Sequence, residues 1–371
     1  MELTELPLMA QSTYAELLEL ANLRAFETAF AEEGTFSTKT AKGRVYWYFL
    51  PARTPQNPSP TQRYVGPETE ELRARITQHR AAKASEKAQR ALVRSLTHSY
   101  NVPAPLPAVA RVVEGLARSG VFRLRGVLVG TVAYQTYAAM LGVRLRGALM
   151  QTSDVDVAQF LSVSIAVQDR TESMDSVLQG IDPSFTRIPN LGRSASTRYV
   201  SNQKLRVDFL VPNQGADDDE PLYLPALNTA AEPLRFLDFL IYEPVKAVLL
   251  HGAGTAITVP SPERFAIHKI IVSQRRKAEE AKAKKDLQQS ATLIQILAQS
   301  RPEDLKSAWE EAIARGPTWR ELLTAGAAQL PASAKDSLAV AGIVDAAKPS
   351  SHSVATETES GLTFHVSTSK E

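Results

Sequence analysis

The segment Gln151-Thr-Ser-Asp-Val-Asp-Val157 sets two aspartates two residues apart beside valines, and that pattern restricts what the chain can fold into. Successive side chains of a strand alternate between its faces, so Asp154 and Asp156 project together. A third aspartate, Asp208, lies in the apolar run Leu205-Arg-Val-Asp-Phe-Leu210, which suits a neighbouring strand. Carboxylates gathered this closely raise each other's pKa unless a cation stands between them. A bare Asp-x-Asp is commonly a solvated strand edge or turn; the residues upstream set this one apart.

Leu124-Arg-Gly-Val-Leu-Val-Gly-Thr131 reads as a short buried strand that breaks at a glycine. Ala133 to Leu141 then carries apolar residues at helical spacing and stops at Gly142. A strand, a Gly-Thr turn and a helix N-terminus present backbone N–H groups and a partial positive charge to an anion. Gly130 and Thr131 are therefore candidate phosphate-seating residues, although an ordinary strand-to-helix turn has the same local pattern. Asp154, Asp156 and Asp208 are candidate catalytic residues and metal ligands. Mg²⁺ takes hard oxygen ligands and keeps positions open for water and phosphates. Two such ions, roughly 3.5–4 Å apart, can clamp the attacking and leaving oxygens of an in-line displacement.

Together, Val129, Gly130-Thr131, Asp154-Val-Asp156 and Asp208 resemble the signature of the nucleotidyltransferase superfamily that includes DNA polymerase β. Leu128-Val-Gly-Thr-Val-Ala-Tyr134, Leu141-Gly-Val-Arg144 and Thr152-Ser-Asp-Val-Asp156 look most like poorly characterised bacterial nucleotidyltransferase-fold proteins, distantly related to abortive-infection nucleotidyltransferase toxins. Thr131 stands where the superfamily has Gly or Ser. The spacer from Thr131 to Asp154 is longer than in minimal members, placing an insertion around Arg144 to Ala148. The resemblance implies an α+β fold with a mixed β-sheet and flanking helices. It also implies transfer of a nucleoside monophosphate from a nucleoside triphosphate, ATP among the candidates, to an acceptor hydroxyl with release of pyrophosphate. Mg²⁺ or Mn²⁺, two per site, is the implied cofactor. In the toxin-like relatives a lysine on the helix after the sheet, and a later Lys-Asp or Arg-Asp pair, help bind the nucleotide. Lys269, Lys285 and Asp286 are the matching positions, with Lys282 and Lys284 competing for the role of Lys285.

The acceptor is not implied, since fold does not determine function. RNA, including a transfer RNA end, is the favoured expectation. Protein modification by nucleotide addition and a non-catalytic nucleotide- or nucleic-acid-binding module are the alternatives. A toxin role in phage defence or a toxin–antitoxin pair, with a neutralising protein partner, is compatible with the distant likeness.

With 371 residues the chain has room for two or three domains and a substantial core. A formal net charge of +2 demands no strongly charged partner overall, and zero cysteines exclude disulfides and thiolate chemistry. Met1-Glu-Leu-Thr-Glu-Leu6 lacks a basic segment and apolar core, and no apolar stretch is long enough to cross a bilayer, so a cytoplasmic protein is expected.

Residues 1–107 are expected to form an N-terminal region for acceptor or nucleic-acid binding. It would contain a helix from Ser12 to Ala31, a long aromatic hairpin of Gly43–Leu50 with Arg63–Val65, and a basic helix from Glu68 to Leu96. Arg73, Arg80, Lys83, Lys87, Arg90 and Arg94 recur at mostly three- and four-residue steps along that helix, as a solvated face or a phosphate-contacting one. Tyr46, Trp47 and Tyr48 read as core rather than stacking platforms. Proline-rich residues 101–107 mark the boundary to a nucleotidyltransferase core over 108–260.

Within the core, Arg193 and Arg198 lie where either could reach a triphosphate but read first as solvated loop residues, and Asp217-Asp-Asp-Glu220 reads as a solvated turn. A helical region follows over 261–345, opening with Ser261 as N-cap and Pro262 at the first helical position. His268 is read as a helix-surface residue. Residues 346–371, poor in large apolar side chains, are expected to be a disordered tail with a short docking strand at Leu362–Val366.

Overall fold

The computed structural model describes residues 4–29, 34–41, 43–53, 58–78, 86–145, 152–189, 195–213, 215, 220–276 and 279–343. The chain starts with helix α1 (Leu8–Ala29) and three antiparallel strands, β1 (Gly34–Ala41), β2 (Arg44–Pro51) and β3 (Arg63–Pro67), in the order β1-β2-β3. The expected pairing of the aromatic strand with 63–65 is present, but β1 makes the unit a three-stranded sheet rather than a hairpin. β1 reads Gly-Thr-Phe-Ser-Thr-Lys-Thr-Ala and is mostly exposed, so it carries no apolar alternation by which to recognise it.

Of the three aromatic residues read as core, Tyr48 is buried, whereas Tyr46 and Trp47 are half-buried. Tyr48 and Tyr64 are buried edge to face at 5.7 Å, and Phe36 packs on the buried Phe49. The basic segment is described as two helices, α2 (Glu70–Gln78) and α3 (Glu86–Arg94), followed by a π-helical turn over Ser95–Ser99. Residues 79–85, with Arg80 and Lys83, lie outside the described residues. Leu17, Ala21, Val93 and Leu96 share an apolar cluster with Val248 and Leu250, so α1 and α3 are packed onto the rest of the fold.

Helix α4 (Pro107–Arg118) begins at a proline, whose missing N–H costs nothing at a first helical position. It is followed by β4 (Val127–Val129), α5 (Gly130–Met140), β5 (Asp154–Ala158), α6 (Leu161–Ala166), α7 (Met174–Ile181), β6 (Thr186–Arg187), β7 (Arg198–Val200) and β8 (Arg206–Pro212). β9 (Leu222–Leu224), β10 (Thr229–Leu234) and the short α8 (Leu237–Leu240) lead to the hairpin β11 (Val245–Leu249) and β12 (Thr255–Val259). Helices α9 (Pro262–Arg275), α10 (Glu280–Ser300), α11 (Pro302–Ala314), α12 (Pro317–Ala328) and α13 (Ala332–Val340) complete the described chain.

The central sheet runs β4-β5-β8-β10-β9. β4 is antiparallel to β5, β5 parallel to β8, β8 parallel to β10, and β10 antiparallel to β9. β7 is also antiparallel to β8, alongside Arg206 to Asp208. The mixed sheet with flanking helices agrees with the α+β expectation. Val127, Leu128, Val129, Val155, Val157, Val207 and Phe209 are buried together, which aligns these strands without leaving an apolar face in water.

Helix α9 is docked to α5 by aromatic contacts. The Phe265 ring stacks on Tyr134 at 5.9 Å and meets Tyr137 edge on at 5.3 Å, while the Tyr137 hydroxyl donates to the Pro260 carbonyl at 3.0 Å. Ser261 caps α9 by accepting from the Arg264 N–H, as its sequence position predicts. Arg193, residues 217–219, most of the 144–148 insertion and the 346–371 tail lie outside the described residues.

Candidate active site

Gly130 ends β4 and begins α5 with φ +69°, a left-handed conformation that side chains strain to adopt. A Cβ at this position would also collide with Asp156 Oδ2. Both constraints select glycine, and the second shows how closely the turn approaches the carboxylate. Thr131 follows in the first turn of α5, so both predicted turn residues sit at its N-terminus.

Strand register assembles the aspartates. Val129 lies opposite Asp156 across the antiparallel pair, and Asp156 lies opposite Asp208 across the parallel pair. Residues opposite one another in a sheet share a face, and Asp154 shares it by alternation. The Thr152 hydroxyl accepts the Asp154 N–H at 3.0 Å and shapes the entry into β5.

Electrostatics give the three carboxyls distinct surroundings. Burial, then the charges of Asp208 and Asp154, push the Asp156 carboxyl up to about 7 against the opposing pull of Lys269 and Arg276. Burial also raises Asp208, with Asp154 and Glu232 adding to the effect and Arg198 and Arg206 opposing it. Asp208 Oδ1 is buried with no hydrogen-bond partner, while Oδ2 lies 3.5 Å from Arg198 Nε.

Arg198 faces Asp208 across β7 and β8, and its other arm reaches Glu232 at 2.9 Å. It is thus a strand residue tied to a candidate catalytic carboxylate, rather than a solvated loop arginine. Glu232 was not singled out from sequence. Its place beside the site depends on β10 following β7 along the same edge of β8, and no local pattern announces that order.

Lys269 Nζ contacts Asp286 Oδ1 at 2.5 Å, and Arg276 Nε stands 2.9 Å from Asp286 Oδ2. Asp286 is buried and lies between these two cations, which the α9–α10 packing brings together. Lys285 feels the charge of Asp154, although its pKa is lowered by burial first and by Lys269 next. Lys269, Lys285 and Asp286 therefore form one charged flank of the aspartate cluster, with Arg276 as a member that sequence reasoning missed. Lys282 instead contacts Glu279 at 2.7 Å.

His268 is a correction. It is half-buried, its Nδ1 is buried without a hydrogen-bond partner, and burial with neighbouring Lys269 and Arg276 pushes its pKa down to about 3. Packing of α9 against α8, α10, α11 and α12 removes most of the surface on which the residue was expected.

Of the basic-stripe residues that are described, Lys87, Arg90 and Arg94 are exposed on α3. Arg73, on α2, is ion-paired to Glu68. The structure does not bring this stripe into the aspartate cluster.

Among the described residues no three His, Asp or Glu side chains already form a metal-holding group, so the aspartates are in register without being converged. The donor set still suits a hard divalent cation. It offers only carboxylate oxygens, an orphaned Asp208 Oδ1, and an Asp156 carboxyl whose pKa a cation would lower.

Carboxylates on adjacent strands thus lie beside a glycine turn at a helix N-terminus and beside cations from a packed helix pair. A family model described as nucleotidyltransferase matches residues 107–314, more than half of the chain, and the protein belongs to that family. No curated protein and no solved structure matches it. No helix among the described residues is long and apolar enough to cross a membrane.

Proposed function

We propose that the protein is a metal-dependent nucleotidyltransferase that moves a nucleoside monophosphate from a nucleoside triphosphate to an RNA hydroxyl. The observation that carries this reading is the alignment of Val129, Asp156 and Asp208 across three neighbouring strands, with the Gly130 turn against Asp156. Asp154, Asp156 and Asp208 would hold Mg²⁺ or Mn²⁺. When bound, the ions supply charge neutralisation at the transferring phosphoryl group and its leaving oxygen.

The chain's own residues have separable roles. The α5 N-terminus at Gly130 and Thr131 seats the triphosphate through backbone N–H groups and the helix dipole. Lys269, Arg276 and Lys285 offset its negative charge. Asp286 holds Lys269 and Arg276 in place through contacts at 2.5 and 2.9 Å.

Asp208, raised above the usual carboxylate range, accepts the acceptor hydroxyl proton as its oxygen attacks the α-phosphorus. The bond from that phosphorus to the bridging oxygen breaks, and pyrophosphate leaves. Arg198 and Glu232 orient Asp208 from the adjacent strands.

The test uses wild type and Asp154→Ala with Mg²⁺, each α-labelled ribonucleoside triphosphate in turn, and total bacterial RNA and protein. Label should enter RNA with wild type, and fall on the order of a thousandfold in the variant. Label entering a protein band would replace the acceptor assignment with protein modification. Metal-dependent triphosphate binding without transfer to either pool would favour a binding module.

A further inference from the structure

Arg123 and Arg125 precede β4, whereas Gly130 follows it, so the two ends of this strand face different surroundings. Beyond the end away from the aspartates lies an open cavity of about 1770 Å³, walled by α1, β3, α2, α4, α7 and the β11–β12 hairpin. Nine arginine and lysine side chains line it against five carboxylates. Three of those carboxylates are already matched within the wall: Glu71 by Arg75, Glu114 by Arg118 and Asp169 by Arg123, each at 2.5 Å.

Arg125, Arg170 and Lys246 pair with no carboxylate among the described residues. Arg125 is exposed with φ +69°, a left-handed conformation uncommon outside glycine, and its side chain hydrogen-bonds the Tyr64 hydroxyl. Arg170 is exposed, and only its backbone is held, the N–H donating to Asp169 Oδ1 at 2.7 Å. The Lys246 ammonium donates to Thr258 Oγ1 at 3.1 Å. Desolvation in the cleft, then the charges of Arg75 and Arg125, pull its pKa down to about 8 against the opposing pull of Glu71.

The shape indicates the kind of anion. Small-molecule pockets occupy about 300–1,000 Å³, less than this cavity offers. Its cations come from separate elements, Arg75 and Arg125 acting on Lys246 while Arg24, Arg63 and Arg170 stand on other parts of the wall, and the cavity is open. That arrangement suits phosphates repeated along a chain, as in grooves that track a single strand.

We propose that this cleft binds a single-stranded segment of RNA through its phosphodiester backbone, holding the body of the acceptor beyond the end of β4 away from the aspartates. This rests on the reading of RNA as acceptor. The three residues of β4 span roughly 10 Å, a distance that a few nucleotides can bridge.

Binding of a short labelled oligoribonucleotide, followed across a salt series without nucleoside triphosphate, separates the cleft from the chemistry. The Arg125→Ala/Arg170→Ala/Lys246→Ala variant should bind at least tenfold more weakly. The slope of log affinity against log salt should become shallower by roughly 2, at about 0.7 per lost phosphate contact on a single strand. Metal-dependent triphosphate binding should remain unchanged. Because Arg125 also supports Tyr64, Arg170→Glu provides a second variant that removes no side-chain contact; it should weaken RNA binding while keeping the wild-type melting temperature.

Unchanged affinity and slope in both variants would overturn the proposal. So would displacement of the oligoribonucleotide by free nucleoside triphosphate in the Asp154→Ala background, which would mark the cleft as a mononucleotide site. RNA binding that depends on the cleft, combined with label entering only protein, would instead sink the acceptor assignment and leave the cleft standing.

Discussion

The two ends of β4 carry opposite chemistry. At one end the Gly130 turn approaches Asp156 so closely that a Cβ would collide with it, with Asp154 and Asp208 on the same face. At the other, Arg123 and Arg125 open into a cleft where cations outnumber carboxylates. Burial, then the neighbouring carboxylates, raises the Asp156 carboxyl to about 7, and desolvation, then Arg75 and Arg125, pulls Lys246 down to about 8. Each end thus sets groups of one sign beside one another, which teaches that a partner of the other sign would relieve them. For the acid end that partner is a cation, and for the basic end an anion. The fold keeps the two apart with a short buried strand, so that they do not neutralise each other.

The largest effect should come from breaking the acid end by shape alone. Gly130→Ala removes no chemical group, yet it adds a Cβ against Asp156 Oδ2 and strains a left-handed φ. Nucleotidyl transfer should fall by about 100-fold or more, while RNA binding in the cleft stays at the wild-type level. Parallel activity and binding titrations would check this; an active alanine variant would show that the close approach is incidental.

A smaller effect should follow in the charged flank that joins the acid end to the helical region. Lys269→Ala removes one of the cations that face the buried Asp286, leaving Arg276 at 2.9 Å with Lys285 nearby. Loss of one partner of a buried pair costs about 3 kcal/mol. Chemical denaturation should reveal this, and Lys269→Ala/Asp286→Ala should recover part of the loss.

The smallest effect concerns Asp156. Its folded-state pKa, about 7, lies above the ordinary carboxylate value, so the folded state retains a proton that the unfolded state releases. Stability is therefore lost as pH rises from about 4 towards 7, and the penalty is full above that window. Asp156→Asn should stabilise the metal-free protein by roughly 1–2 kcal/mol at pH 8, allowing for partial exposure, and have no such effect at pH 4. Melting curves at the two values would decide it. Added Mg²⁺ should raise the melting temperature of wild type more than that of the variant, sharpening the contrast between the two ends of the strand.

Much of the acid end was legible in the chain. The apolar run ending at Gly130, the helical spacing to Gly142 and the Asp-x-Asp alternation are short-range patterns imposed by backbone geometry. The Ser261-Pro262 helix start was equally local and is observed with its capping hydrogen bond. β1 escaped because an exposed, threonine-rich strand has no buried face to imprint a period on its sequence. His268 was placed on a surface because the number of helices packing around α9 cannot be read from α9 itself.

The sequence alone therefore determined the elements and the residue types that could serve at the acid end, because strand alternation and glycine's access to positive φ are properties of neighbouring residues. Tertiary structure decided which groups meet. It set Arg198 and Glu232 beside Asp208 through the order of strands, set Arg276 against Asp286 through helix packing, and drew Arg24, Arg63, Arg75, Arg125 and Lys246 from five segments around one cleft. Those meetings depend on pairing and burial between residues far apart in the chain, and no local period records them.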